Sequence, residues 1–256
     1  MIDSQNMDLI IGIHSIVCAI ANPNRTLYKL VGTEDALEEV AKKVSLEKVQ
    51  VEMYSSHKLQ EEAKKYFKQL GLEYHRVPSG VFLLAASQEI NDVNFLYEQV
   101  EKNSKPLKIL CLDQITDVHN AAAILRTASF YGVDFVVVPD KKSFGLTPSF
   151  FRISSGAAEF IPLVGVNKLG KTLTKLQNMG ILCLALSEHA KGSLEDELHS
   201  NAKGICLVLG KEDVGISNAV LRVIPHHISL ESMGDTQSLN VSIAAAITME
   251  RCFRKN

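Results

Sequence analysis

The strongest constraint on the fold lies in the second half of the chain. Four aliphatic runs there, at 109–112, 135–138, 181–186 and 205–209, lack polar alternation. A strand with one wet face alternates polar and apolar side chains, so a continuous apolar run is covered on both faces. Helical patterns at 120–130, 168–177 and 241–251 accompany these runs. The combination predicts an α/β fold with a mainly parallel sheet and helices on both faces.

The first half alternates shorter segments. Its patterns predict helices at 13–20, 34–43, 56–70 and 94–100, and strands at 27–31, 49–54 and 82–86. Thr33 and Ser56 are placed as helix N-caps, and Gly71 as a helix stop. Residues 101–106, Glu-Lys-Asn-Ser-Lys-Pro, are polar and end in proline, as linkers do. The expected organisation is a small α/β domain at 1–100, a linker at 101–107 and a larger domain at 108–256. With 256 residues, 46% of them hydrophobic and 22% charged, two such domains can build cores without staples. That excludes a disordered chain.

The net charge of −2 gives no global basic excess, so nucleic-acid binding would need a local patch. Lys42, Lys43, Lys58, Lys64, Lys65 and Arg76 offer cations in the first half, and Lys141, Lys142 and Arg152 in the second. The five cysteines form no CxxC and no zinc spacing with histidine. They read as core residues of a protein in a reducing compartment, and no metal is expected. No basic leader precedes residue 9, and no apolar run approaches the ~20 residues of a membrane span. A cytoplasmic, soluble protein is expected, with no membrane partner.

Three segments carry chemistry, each at a strand end where open α/β sheets place their ligands. The first runs from Asp113 through Asn120 into an alanine-rich helix that holds Arg126 as a lone charge. Read alone, Asn120 serves equally as an N-cap, and Arg126 as a cation reaching for water. The second is Leu209-Gly210-Lys-Glu212-Asp-Val-Gly215-Ile-Ser217. Glu212 stands where a dinucleotide fingerprint has its central glycine, and a carboxylate there repels a pyrophosphate. A nicotinamide enzyme is therefore disfavoured, while a cationic sulfonium or a neutral ribose is tolerated. The third runs from Ile228 and Leu230 to Ser238-Leu239-Asn240-Val-Ser242 and opens a helix from Ser238 or Asn240.

In this order and spacing the three segments resemble the SpoU, or TrmH, family of RNA 2′-O-ribose methyltransferases, within the SPOUT superfamily. The resemblance covers roughly 108–252, and the first domain looks like the small RNA-binding domain of the branch that methylates guanosine in 23S ribosomal RNA. It implies a deep trefoil knot, a homodimer with sites near the subunit interface, and S-adenosyl-L-methionine as methyl donor. The implied catalytic set is Asn120, Arg126, Glu212, Ser238 and Asn240. The implied cofactor contacts are Leu209, Gly210, Gly215, Ile228, Leu230 and Leu239. Two departures stand out: His119 replaces a common proline, and Leu230-Glu231-Ser232 replaces a frequent Ile-Pro-Met. The alternatives are the same reaction on transfer RNA, and a non-catalytic RNA-binding assembly factor on the same fold.

Overall fold

A computed structural model of the chain describes residues 6–188, 190, 192, 202–236 and 238–254. The chain divides into two compact units. The first comprises 1–88 together with 145–160, and the second 89–144 with 161–256.

In the first unit, strands β1 (Met7–Ile11), β2 (Leu27–Gly32), β3 (Gln50–Met53) and β4 (Val81–Ala86) form a sheet in the order β1-β4-β2-β3. β4 runs antiparallel to both neighbours, and β2 and β3 are parallel. Helices α1 (Ile13–Ala21), α2 (Glu34–Ala41) and α3 (Ser56–Gln69) connect them. Leu59, Ala63 and Phe67 recur every fourth residue of α3, so one helix face meets Leu9, Phe82 and Leu84 of the sheet. The N-cap of α3 is Ser55, one residue before the expected Ser56, and its hydroxyl accepts from Lys58 N. Gly71, with φ +67°, stops the helix as expected.

Residues 145–160 belong to this unit through helix α6 (Pro148–Ser154) and a following 3₁₀ turn. Ser15 Oγ donates to Phe151 O at 2.5 Å. Arg25 pairs with buried Asp8 at 2.6 Å and lies 3.6 Å from Glu159. Burial pushes the Asp8 and Glu159 carboxyls above their usual range, with Arg25 opposing the shift in both.

The second unit holds strands β5 (Ile90–Asn91), β6 (Leu107–Asp113), β7 (Phe135–Pro139), β8 (Leu163–Val166), β9 (Ile181–Leu186), β10 (Gly204–Gly210) and β11 (His226–Ile228). Among the described residues they form one sheet in the order β11-β9-β10-β6-β7-β8-β5. Every adjacent pair is parallel. Helices α4 (Val93–Lys102), α5 (Val118–Phe130), α7 (Leu169–Asn178), α8 (Asn218–Leu221) and α9 (Val241–Phe253) complete the unit. The fully buried β10 confirms why that run shows no alternation.

The boundary differs from the expected one. The 94–100 helix does not close the first unit: α4 buries Leu96 and Val100 in the core of the second, beside Leu107, Phe135 and Val164. β5 pairs with β8 of that unit. The polar stretch at 103–106 is thus a loop inside the second unit, and the division falls at 88/89. Composition marks a solvated connection but not which cores it joins. No described helix is long and apolar enough to cross a membrane.

Candidate active site

The chain leaves β6 towards β7 on one side and leaves β10 towards β11 on the other. Their carboxyl ends therefore face a crevice at the point where the strand order reverses, the usual ligand position in an open α/β sheet. All three chemistry-bearing segments reach this end.

The first segment is set by Asp117, whose carboxylate accepts from Asn120 N at 2.8 Å and caps α5. Asn120 therefore lies in the first turn of the helix and is not its cap. Its side chain is free to reach across the crevice. The third segment is set by Asn240, the cap of α9, whose Oδ1 accepts from Ser242 N at 2.9 Å and from Ser242 Oγ at 2.5 Å. Only an oxygen can accept from that backbone N–H, so the cap fixes which way the amide points. Asn240 Nδ2 is left as a donor, and it meets Asn120 Oδ1 at 3.0 Å. That contact fixes the Asn120 amide in turn, and its Nδ2 donates to Glu212 Oε1. Asn240 Nδ2 also lies 3.5 Å from the same oxygen. A directed chain of hydrogen bonds thus runs from the α9 cap to one carboxylate.

The loop that carries Glu212 is tightly closed. Lys211 and Gly215 exchange backbone hydrogen bonds at 3.1 and 2.7 Å. A Cβ on Gly210 would lie 2.2 Å from backbone atoms of Gly215 and Ile216, so no larger residue fits there. Gly215 sits at φ +66°, where glycine carries no steric cost. Asp113, buried at the end of β6, accepts from Ser217 N at 2.7 Å and ties the loop to the neighbouring strand. Asp113 and Asp117 are positioning residues that the sequence reading passed over. An aspartate just after a buried strand and another just before a helix were the available signals.

Beside this loop lies a cavity of about 540 Å³. Leu186, Leu209, Gly210, Leu221, Leu230, Leu239, Val241 and Ala244 give it apolar walls, while Glu188, Glu212, Asp213, Glu231 and Asp235 surround it with carboxylates. Among the described residues the one lysine on the wall, Lys211, lies 3.7 Å from Asp213. Such a lining suits a flat apolar ring system with a neutral or cationic centre and opposes a phosphate. Among the described residues no group of acids, cysteines and histidines could hold a metal ion.

Most of the expected site residues converge. Asn120, Glu212 and Asn240 are joined by hydrogen bonds, and Glu212 also faces the cavity. Leu209, Gly210, Gly215, Leu230, Ser238 and Leu239 line the cavity. Two residues do not join them. Ile228 is buried at the end of β11 and lies off the wall, where its carbonyl accepts from Ser187 N at 2.9 Å. Arg126 is exposed and bonds to none of the trio. Six residues separate it from Asn120, which on a regular helix places it about 120° round the axis and about 9 Å along it.

A sequence model described as the SpoU rRNA Methylase family matches residues 108–250. YacO of Bacillus subtilis, named for the TrmH family of tRNA/rRNA methyltransferases, is 29% identical over 98% of this chain and 97% of its own. The 23S rRNA (guanosine-2′-O-)-methyltransferase RlmB of Pseudomonas putida is 33% identical, covering 70% of this chain and 71% of its own. Among solved structures, the SpoU methyltransferase AviRb of Streptomyces viridochromogenes, crystallised with AdoMet, superposes with a TM-score of 0.74. It is 17% identical, and the match covers 98% of this chain and 91% of that one.

Proposed function

This chain belongs to the SpoU rRNA methylase family and is an RNA methyltransferase, and from that premise we propose that it methylates a ribose 2′-hydroxyl of ribosomal RNA, a guanosine of the 23S molecule, using S-adenosyl-L-methionine. One observation carries the reading: Glu212 is held by Asn120 and Asn240 and faces the cavity beside Gly210.

The cavity fits the cofactor by its chemistry. Its apolar walls suit adenine, and its carboxylates favour a sulfonium over a phosphate. Leu209, Gly210, Gly215, Leu230 and Leu239 would hold it, and it supplies an electrophilic methyl group when bound. The protein's own task is to present a weak nucleophile in line. Asn120 and Asn240 both point donors at Glu212 Oε1, which leaves Oε2 to accept a hydrogen bond from the ribose hydroxyl. Ser238 on the cavity wall adds a neutral hydroxyl. The planar guanidinium fork of Arg126 matches a phosphate in two parallel hydrogen bonds, so its part is to grip one and align the 2′-oxygen.

The reading includes a homodimer in which the exposed Arg126 serves the crevice of the partner subunit. Phe130, 83% exposed at the end of α5, and Ile243, 51% exposed on α9, support a face that another surface covers. It also includes a deep trefoil knot in the second unit, and RNA binding by the first. In the first unit Lys43 and Lys65 already pair with Glu39 and Glu62, and Lys58 Nζ lies 4.2 Å from the centre of the Tyr54 ring. That leaves Lys42, Lys64 and Arg76 as the better candidates for phosphate contacts.

The test is transfer of labelled methyl groups to ribosomal RNA from a strain that lacks the gene, followed by mapping of 2′-O-methyl sites. One restored ribose methyl in the 23S molecule is the expected result. A strain whose ribosomal RNA has lost no ribose methyl overturns the reading.

A further inference from the structure

We propose that the second unit carries another nucleotide cleft, between β5, β8 and α7, which takes an unpaired nucleotide of the same RNA strand a short way from the methylated one. The proposal rests on the RNA reading above and names where that RNA runs. A cavity of about 450 Å³ opens here, lined among others by Asp92, Tyr97, Asp140, Asn167, Lys168 and Lys171. Because every strand of the sheet is parallel, this cavity lies on the same carboxyl edge as the catalytic crevice. Three strand spacings separate β10 from β8, which is about 14 Å. That is within reach of one continuous RNA strand.

Among the described residues the charged side chains that line the cavity form no ion pairs with one another. Among the described residues neither Lys168 nor Lys171 forms an ion pair with Asp92, Asp140 or any other acid, although the four share one cavity. The Asp92 carboxylate caps α4, accepting from Asn94 N and Phe95 N at 2.8 and 3.0 Å. Asp140 has no such duty. Lys168, Lys171 and Lys175 follow one face of α7, and Lys175 Nζ is held 3.8 Å from the centre of the Tyr97 ring. The cavity therefore offers cations for a phosphate, together with a free carboxylate that accepts from adjacent N–H groups. An RNA nucleotide has both parts, and among the bases guanine best matches a carboxylate, with two neighbouring N–H donors on one edge.

The experiment uses the full chain, ribosomal RNA from the deletion strain and labelled S-adenosylmethionine. For the double variant Lys168→Glu with Lys171→Glu, KM for RNA should rise at least tenfold, with kcat and the calorimetric Kd for the cofactor unchanged. The dependence of RNA affinity on salt should lose one to two units of slope. Lys168 is the N-cap residue of α7 and Lys171 lies in its first turn, and negative charge at both places suits the positive end of the helix, so unfolding does not mimic this result. Asp140→Asn should raise KM about tenfold without changing the slope. An unchanged KM in both variants overturns the proposal. If the wild-type protein transfers no methyl group, the ribose reading fails on its own. Filter retention of the same RNA by wild type and double variant then decides the cleft: equal retention overturns it, and weaker retention by the variant supports it.

Discussion

At the scale of single residues, the site depends on which atom of each amide points where. Asn240 is oriented by its cap, Asn120 by Asn240, and Glu212 by both. Asn120→Ala removes the middle of this chain and lets the carboxylate wander. We expect kcat to fall about 10²-fold, the usual cost of a misplaced reacting group. The calorimetric affinity for S-adenosylmethionine should hardly change, because Asn120 is not on the cavity wall. Arg126→Ala should lower kcat/KM for RNA and also leave cofactor affinity intact, and Lys at this position should restore only part of the loss, since it lacks the bidentate fork. Full activity in Arg126→Ala would remove that residue from the mechanism.

At the scale of elements, the crevice is built from helix caps and strand ends, so stability and catalysis can be separated. In Asn240→Asp the side chain still accepts from Ser242 N but no longer donates to Asn120. The thermal midpoint should stay near that of wild type while turnover drops. Asn240→Ala should in addition lose about 1 kcal/mol of stability with its cap. Asp113→Ala leaves Ser217 N without its acceptor at a strand end. A cost of about 1–3 kcal/mol in urea unfolding is expected. Weakened cofactor binding should accompany it, because the loop holding Gly210 and Glu212 loses its tie to β6.

At the scale of the whole molecule, residues 145–160 leave the second unit and pack into the first, where Glu159 and Asp8 flank Arg25. Arg25→Ala strands two buried carboxyls, and the first unit should lose about 3–5 kcal/mol at neutral pH. The chain has no tryptophan, and four of its six tyrosines, Tyr28, Tyr54, Tyr66 and Tyr74, lie in this unit. Tyrosine emission during urea unfolding therefore reports mainly on it. In the wild type both carboxyls titrate above their unfolded values. The folded state then holds protons that the unfolded state releases, so their contribution is fullest below the ordinary carboxylate range and is lost as pH rises through the raised values. The urea midpoint of the first unit should accordingly be lower at neutral pH than in mild acid. A midpoint that climbs steadily over this interval would show that the Arg25 attraction outweighs the burial cost.

The aliphatic runs by themselves determined the parallel sheet of the second unit, because a strand covered on both faces cannot alternate. The order of three short segments was enough to indicate the family and to collect Asn120, Glu212 and Asn240. Tertiary structure decided what local pattern does not encode. It gave α4 and β5 to the second unit and 145–160 to the first, since a segment's apolar face does not specify which core will bury it. It made Asp117 the cap of α5, which freed Asn120 for the crevice. It buried Ile228 and turned Arg126 away from Asn120. A spacing of six residues is the same number in any sequence, but only a folded helix converts it into an angle.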